Sequence, residues 1–196
     1  VTKHPLARFE KILTSLSTCK TTELKGKQDG EEVFMGGILS KVKFTTTRRT
    51  SEKMAITTLE DLWGTVEVLV FPSTFAKAAA FVKQEGLVFV QGRVNAREEE
   101  PKIVANEITA LETARARYTK AVMIDLVTAG LDKMNLDKLK KVLLRYPGKA
   151  QVYLNFRKPD GKSTVVSVGR TFAVEPHEGL VRDVEKIFGR DVVNFK

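Results

Sequence analysis

Cysteine and histidine are nearly absent: Cys19 stands alone, and His4 and His177 are the only imidazoles in 196 residues. A single thiol excludes an internal disulfide, and with no Cys/His cluster at ligand spacing no metal is expected; a reducing cytoplasm fits best. No apolar run approaches the roughly 20 residues of a membrane-spanning helix, so no membrane partner is expected. The opening VTKHPLARFEKIL lacks both the hydrophobic stretch of a secretory leader and an initiator Met, and reads as the interior of a longer protein. Nucleophile–base pairs and paired carboxylates are also missing, so no catalytic residue and no cofactor are assigned. GGILSK at Gly36 lacks the spacer and the closing Gly-Lys-Ser/Thr of a phosphate loop. Glu60-Asp61, in LEDLWG, reads as an acidic pair shaping a turn.

What is abundant is positive charge. The net value of +9 points to an anionic partner such as nucleic acid. Up to Tyr118 there are 18 Lys/Arg against 15 Asp/Glu, and after it 15 against 9, so the second half is the more basic. The length suits two domains of about 100 residues each.

Apolar positions Leu6, Phe9, Ile12, Leu13 and Leu16 predict a helix over 5–16, with a Gly-containing linker at 17–32. Five strands rich in Val, Ile, Phe and Thr follow, at 33–48, 53–61, 65–71, 86–94 and 102–111, with a bulge or sharp bend at Gly36-Gly37. A helix over 72–83, begun by Pro72 and ended by Gly86, separates the third strand from the fourth. Three strands, a helix and two strands is the order of an OB-fold, a five-stranded barrel. After a charged connector at 112–117 the pattern predicts strand 121–127, helix 136–146, strands 150–156 and 163–168 joined by a Lys-Pro-Asp-Gly hairpin, a short strand 171–174 and a helix 178–188. The expected fold is thus two domains: a lead-in helix and linker at 1–32, an all-β five-stranded OB-fold barrel at 33–112, and a small α+β domain at 119–196.

The loop between the first two strands carries Thr45, Thr46, Thr47, Arg48, Arg49 and Lys53, donors suited to phosphate oxygens. Alternation in the third strand turns Val66, Val68 and Val70 inward and leaves Phe71 as a stacking platform on the outer face. Phe44 and Trp63 are further aromatic candidates, with core packing as the competing role. Arg93 and Arg97 complete the DNA-binding set, opposed by Glu98, Glu99 and Glu100, whose charges repel phosphate. Weak, salt-sensitive binding of single-stranded DNA is expected. In the second domain Lys138, Lys141 and Arg145 share one helix face, either solvated or docking a partner.

GGILSKVKF, MAITTLEDLWGTVEVLVFPSTF and VFVQGRVNAREEEPKIVANEITAL together resemble the OB domain of the alpha subunit of bacterial DNA polymerase III. HPLARFEKIL resembles the segment leading into that domain, and LLRYPGKAQVYLNF its C-terminal domain. The resemblance implies a parent nucleotidyltransferase whose catalytic aspartates lie upstream of Val1. It further implies a barrel near single-stranded template and a C-terminal domain that docks the clamp-loader tau subunit. The last residues, Asp191-Val192-Val193-Asn194-Phe195, resemble the family's tail, a clamp-type motif with Asp191 where Gln is expected. Val193 and Phe195 accordingly join the partner-docking set, with the sliding clamp as a further partner. Two alternatives stay open: the RNA-binding OB region of an aspartyl-type tRNA synthetase, and a protein-interaction scaffold without DNA binding.

Overall fold

The computed structural model describes residues 6–196; His4 and Pro5, where the first helix was expected to start, lie outside the described residues. The chain divides into two compact units, Val1–Ala114 and Arg115–Lys196.

In the first unit, β1 (Glu32–Thr46), β2 (Lys53–Glu60), β3 (Thr65–Val70), β4 (Leu87–Asn95) and β5 (Lys102–Ala110) form a closed barrel in the order β1-β2-β3-β5-β4. β1 is long enough to serve two neighbours. Its first half pairs with β4 and its second with β2, and Ile38 lies opposite both Leu87 and Glu60. A parallel contact between β3 and β5 closes the ring. Side chains alternate across each strand, so Val33, Met35, Leu59, Val68, Val90 and Ile103 all enter the core.

The register slip of β1 falls between Leu39 and Lys41, not at the glycine pair where a bulge was expected. The glycines answer a different demand. A Cβ on Gly36 would lie 2.6 Å from the Phe89 ring and against Leu13, and one on Gly37 would strike the Glu60 carbonyl. Leu13 belongs to α1 (Glu10–Leu16), which follows a short 3-10 turn at Ala7–Phe9. Leu6, Phe9, Ile12, Leu13 and Phe89 are all buried, so the first helix seals the outer side of β1 and β4.

The expected linker contains a 3-10 helix, Thr21–Gly26, and it is anchored to the barrel by Asp61. The buried Asp61 carboxylate accepts from the Thr21 N–H at 2.8 Å and hydroxyl at 2.7 Å, the Trp63 N–H at 2.8 Å and the Gly64 N–H at 2.9 Å. One side chain therefore shapes the β2–β3 turn and ties the preceding segment to it. α2 (Pro72–Ala78) has Pro at its start as expected but ends well before Gly86. Val82 turns in to join the core, and the chain reverses through Glu85 at φ 62°.

The expected charged connector is a helix, α3 (Leu111–Tyr118). In the second unit, β6 (Ala121–Val127) and β7 (Pro147–Arg157) run parallel, linked by α4 (Lys133–Arg145). β8 (Ser163–Ser167) pairs antiparallel with β7. The short strand expected at 171–174 is instead a 3-10 turn, Arg170–Phe172, followed by isolated bridges from Val174 to Pro147 and Ala150. α5 (Glu178–Phe188) spans the expected residues and ends at Gly189, whose φ of 95° favours glycine. The last segment forms an unforeseen strand, β9 (Val193–Phe195), antiparallel to β6, completing the order β8-β7-β6-β9. Val122, Ile124, Leu126 and Val152 on the sheet and Leu139, Leu143, Leu180 and Val184 on the helices are buried together.

Between α4 and α5 the Tyr146 hydroxyl and the Arg145 guanidinium both donate to Asp183 Oδ2 at 2.9 Å, and Tyr146 stacks on His177. The Tyr146 hydroxyl holds the Asp183 carboxyl below its ordinary range against the opposing effect of burial, with Lys186 and Arg145 adding to it.

Two outcomes follow from these contacts. Asp61→Ala orphans three N–H groups and is expected to lower the unfolding free energy by about 2–4 kcal/mol in urea titrations; a loss within experimental error would show that water replaces the carboxylate. A depressed carboxyl pKa contributes stability that is complete above the ordinary aspartate range and is lost as pH falls through the folded value. The gap in Tm between the protein and Tyr146→Phe should therefore be widest at neutral pH and narrow on acidification below that range. A gap independent of pH would mean that the hydroxyl does not lower the Asp183 pKa.

Candidate nucleic-acid interface

Residues opposite one another in an antiparallel ladder project to the same face. Lys41 lies opposite Thr58, which lies opposite Glu67; Lys43 lies opposite Ile56, which lies opposite Leu69. Their neighbours Thr57, Leu59 and Val68 are buried, so this set forms the outer face of β1–β2–β3. OB-folds bind oligonucleotides on the surface of strands 2 and 3. Lys41 and Lys43 are exposed there, and among the described residues neither makes an ion pair. The Lys-Val-Lys alternation in LSKVKF was the sequence signal for them, and the loop-centred reading passed over it.

Arg48 and Arg49 are exposed at the β1–β2 turn, and Lys53 opens β2 opposite Thr46. Among the described residues none of the three has an ion-pair partner. The turn is braced from within: the Thr47 N–H donates to the Glu52 carbonyl at 2.9 Å and the Ser51 N–H to the Thr47 carbonyl at 3.0 Å. The Thr47 and Thr50 hydroxyls lie 2.6 Å apart, and Thr50 donates to the Glu52 carboxylate at 2.6 Å. The Thr47 hydroxyl, expected as a phosphate donor, is thus engaged in holding the turn, and the guanidinium groups are presented to solvent.

Arg93 and Arg97 do not join this group. Arg93 lies opposite Glu32, at the far end of the 15-residue β1 from Thr46 and Lys53. It pairs with Glu32 at 3.2 Å, and Arg97 pairs with Asp29 at 3.4 Å. The acidic loop is also less repulsive than its sequence. Glu98 pairs with Lys102 and Glu100 with Lys25, each at 2.7 Å. Glu98 and then Glu67 hold the Lys102 ammonium above its ordinary range.

Phe71 follows β3 and precedes α2, and is 40% exposed. Phe44 is on the other parity: it lies opposite the fully buried Ala55 and meets Phe75 edge-on at 5.8 Å. Trp63 is half-buried beneath the Lys20 ammonium, 4.6 Å from its ring.

In the second unit Lys138, Lys141 and Arg145 are exposed on α4, with Arg145 bound to Asp183. The tail residues Val193 and Phe195, assigned to the partner-docking set, lie in a strand of the sheet. Val193 and Phe195 are buried in β9, and buried Arg115 of α3 packs over the Phe195 ring at 5.9 Å. Among the described residues no group of three or more His, Cys, Asp or Glu could hold a metal ion, and no helix is long and apolar enough to cross a membrane.

Residues 33–111 match the family described as OB-fold nucleic acid binding domain. The DNA polymerase III alpha subunit of Mycobacterium tuberculosis is 28% identical over 96% of this chain and 16% of its own length. That of Bacillus subtilis is 24% identical over 98% of this chain and 17% of its own length. Asparaginyl-tRNA synthetase from Pyrococcus horikoshii superimposes with a TM-score of 0.36 at 19% identity, over 63% of this chain and 32% of that structure. Nearly the whole chain is thus similar to about one-sixth of the DNA polymerase III alpha subunits, and residues 33–111, a five-stranded OB-fold barrel, match the family described as OB-fold nucleic acid binding domain.

Proposed function

We propose that this chain is the region of a DNA polymerase III alpha subunit that guides single-stranded template and docks the clamp-loader tau subunit. The observation that carries the reading is the alignment of nearly all of this chain with those subunits, joined to a barrel whose β1–β2–β3 outer face and β1–β2 turn bear cations with no ion-pair partner among the described residues. Lys41 and Lys43 on the strands and Arg48, Arg49 and Lys53 at the turn form one basic track beside Phe71. A single aromatic platform and few phosphate contacts make for weak binding dominated by charge. On this reading the region serves a cytoplasmic nucleotidyltransferase by binding.

The second unit supplies the protein contact. It carries 17 Lys/Arg against 9 Asp/Glu, a net +8, whereas the barrel unit carries 16 against 15. Lys138 and Lys141 on α4 are candidate contacts for tau.

Fluorescence anisotropy with labelled oligo-dT tests the template half. Replacing Lys41 and Lys43, or Arg48 and Arg49, by Ala should weaken binding and flatten the plot of log K against log salt by about 0.7 for each phosphate that is no longer neutralised. No binding at low salt, or unchanged affinity in both double variants, would remove the template role. For the docking half, the immobilised chain should retain purified tau, and Lys138→Glu with Lys141→Glu should reduce retention; an intact chain that retains none would dispose of it.

A further inference from the structure

β8 is an outer strand of the four-stranded sheet, bonded only to β7, and all five of its residues are exposed. The ends of the hairpin fix which of its backbone groups are used. The Lys158 N–H donates to the Lys162 carbonyl at 2.8 Å, and the Val168 N–H to the Val152 carbonyl at 2.9 Å. Bonded and non-bonded pairs alternate along an antiparallel ladder, so the bonded pairs between these ends are Leu154 with Val166 and Phe156 with Thr164. The N–H and C=O groups of Ser163, Val165 and Ser167 therefore point away from the sheet. Among the described residues no backbone group meets them.

Exposed edges are usually blunted by charge, proline or a bulge, because they are templates for pairing with another chain. Ser-Thr-Val-Val-Ser has no charged residue and no proline, and its register with β7 is unbroken. Three consecutive β-branched residues favour the extended form, and Val165 and Val166 are 51% and 45% exposed on opposite faces. The other outer strand, β9, has only three residues.

Charge selects the occupant. The unit carries +8, Lys158 and Lys162 flank the start of β8, and Arg170 follows its end. A second copy pairing edge to edge would bring two such units together and is disfavoured; an acidic strand is favoured.

We propose that β8 is a docking edge at which an extended acidic segment of a protein partner adds as a fifth strand. Its backbone bonds to Ser163, Val165 and Ser167, and its alternate apolar side chains cover Val166, on the face that Val166 shares with Leu154. The inference rests on the docking role of the second unit and names the surface and the peptide chemistry.

The full chain is titrated with a fluorescein-labelled eight-residue peptide of alternating glutamate and valine, and with a counterpart carrying lysine for glutamate. The acidic peptide should bind saturably and the basic one should not. Val165→Pro deletes an outward N–H without touching the β7 ladder, and should weaken binding about tenfold or more, whereas Val165→Thr, which keeps that N–H, should weaken it far less. Amide exchange on the unaltered chain gives a readout that does not depend on a variant folding. In the free protein Val165 and Ser167 amides should exchange faster than those of Thr164 and Val166, and slow at least tenfold when the acidic peptide is added. Equal exchange at all four, no slowing, equal binding of both peptides, or dimers joined through β8 in sedimentation would overturn the proposal. If tau is retained through Lys138 and Lys141 while Val165→Pro leaves tau and peptide binding intact, the edge fails and the docking reading stands. If the peptide protects the edge amides but tau is not retained, the edge stands and the assignment to tau fails.

Discussion

A single carboxylate, Asp61, organises one end of the barrel. Its two oxygens accept four hydrogen bonds from three residues, two in its own turn and one forty positions earlier in the chain. A buried carboxylate without such donors would carry a large desolvation cost. Here the donors are the N–H groups of a tight turn and of a 3-10 helix, which would otherwise lack partners themselves. The arrangement fixes where β2 turns into β3 and places the preceding segment against that turn. The β2–β3 ladder, which sets Ile56 and Leu69 beside Lys43 on the outer face, runs into that turn at Glu60 opposite Thr65.

The barrel is sealed on one side and open on another for a steric reason. Gly36 has no side chain, so the Phe89 ring and Leu13 of α1 can close over the outer surface of β1 and β4. Among the described residues of this unit no helix covers β1–β2–β3 in that way, and Lys41 and Lys43 are exposed there. Charge is arranged in keeping with this. The cations near the β4–β5 loop are matched by Glu32 and Asp29, while those on β1 and its turn have no ion-pair partner among the described residues. A barrel unit with almost no net charge therefore still presents a local positive track, and the larger excess of charge lies on the second unit.

Much of this was legible in the residues. Alternation found all five barrel strands to within about two residues at most ends, because each is half-buried and its side chains must change face at every step. The α5 boundaries were readable from an apolar stripe ended by Gly189. Other elements were less visible. α3 reads as charged and polar, so its period is faint, and β9 is too short to show alternation. The glycine pair was read as a bulge or sharp bend, and the register slip lies beyond it, because glycine in a strand also marks a close approach and the local sequence does not separate these causes.

At the candidate interface the residue types were readable and their grouping was not. The sequence by itself determined the barrel class, the basic balance and the candidate cations, since these follow from side-chain periodicity and composition. Only the tertiary structure decided which cations stand together and which are neutralised. Strand pairing sets Arg93 beside Glu32 at the opposite end of β1 from Lys53, and it brings Lys41 and Lys43 onto the open face. It also turned the tail from a free peptide into β9, because hydrogen bonding to β6 and burial of Val193 and Phe195 act between residues some seventy positions apart, where no local pattern can register them.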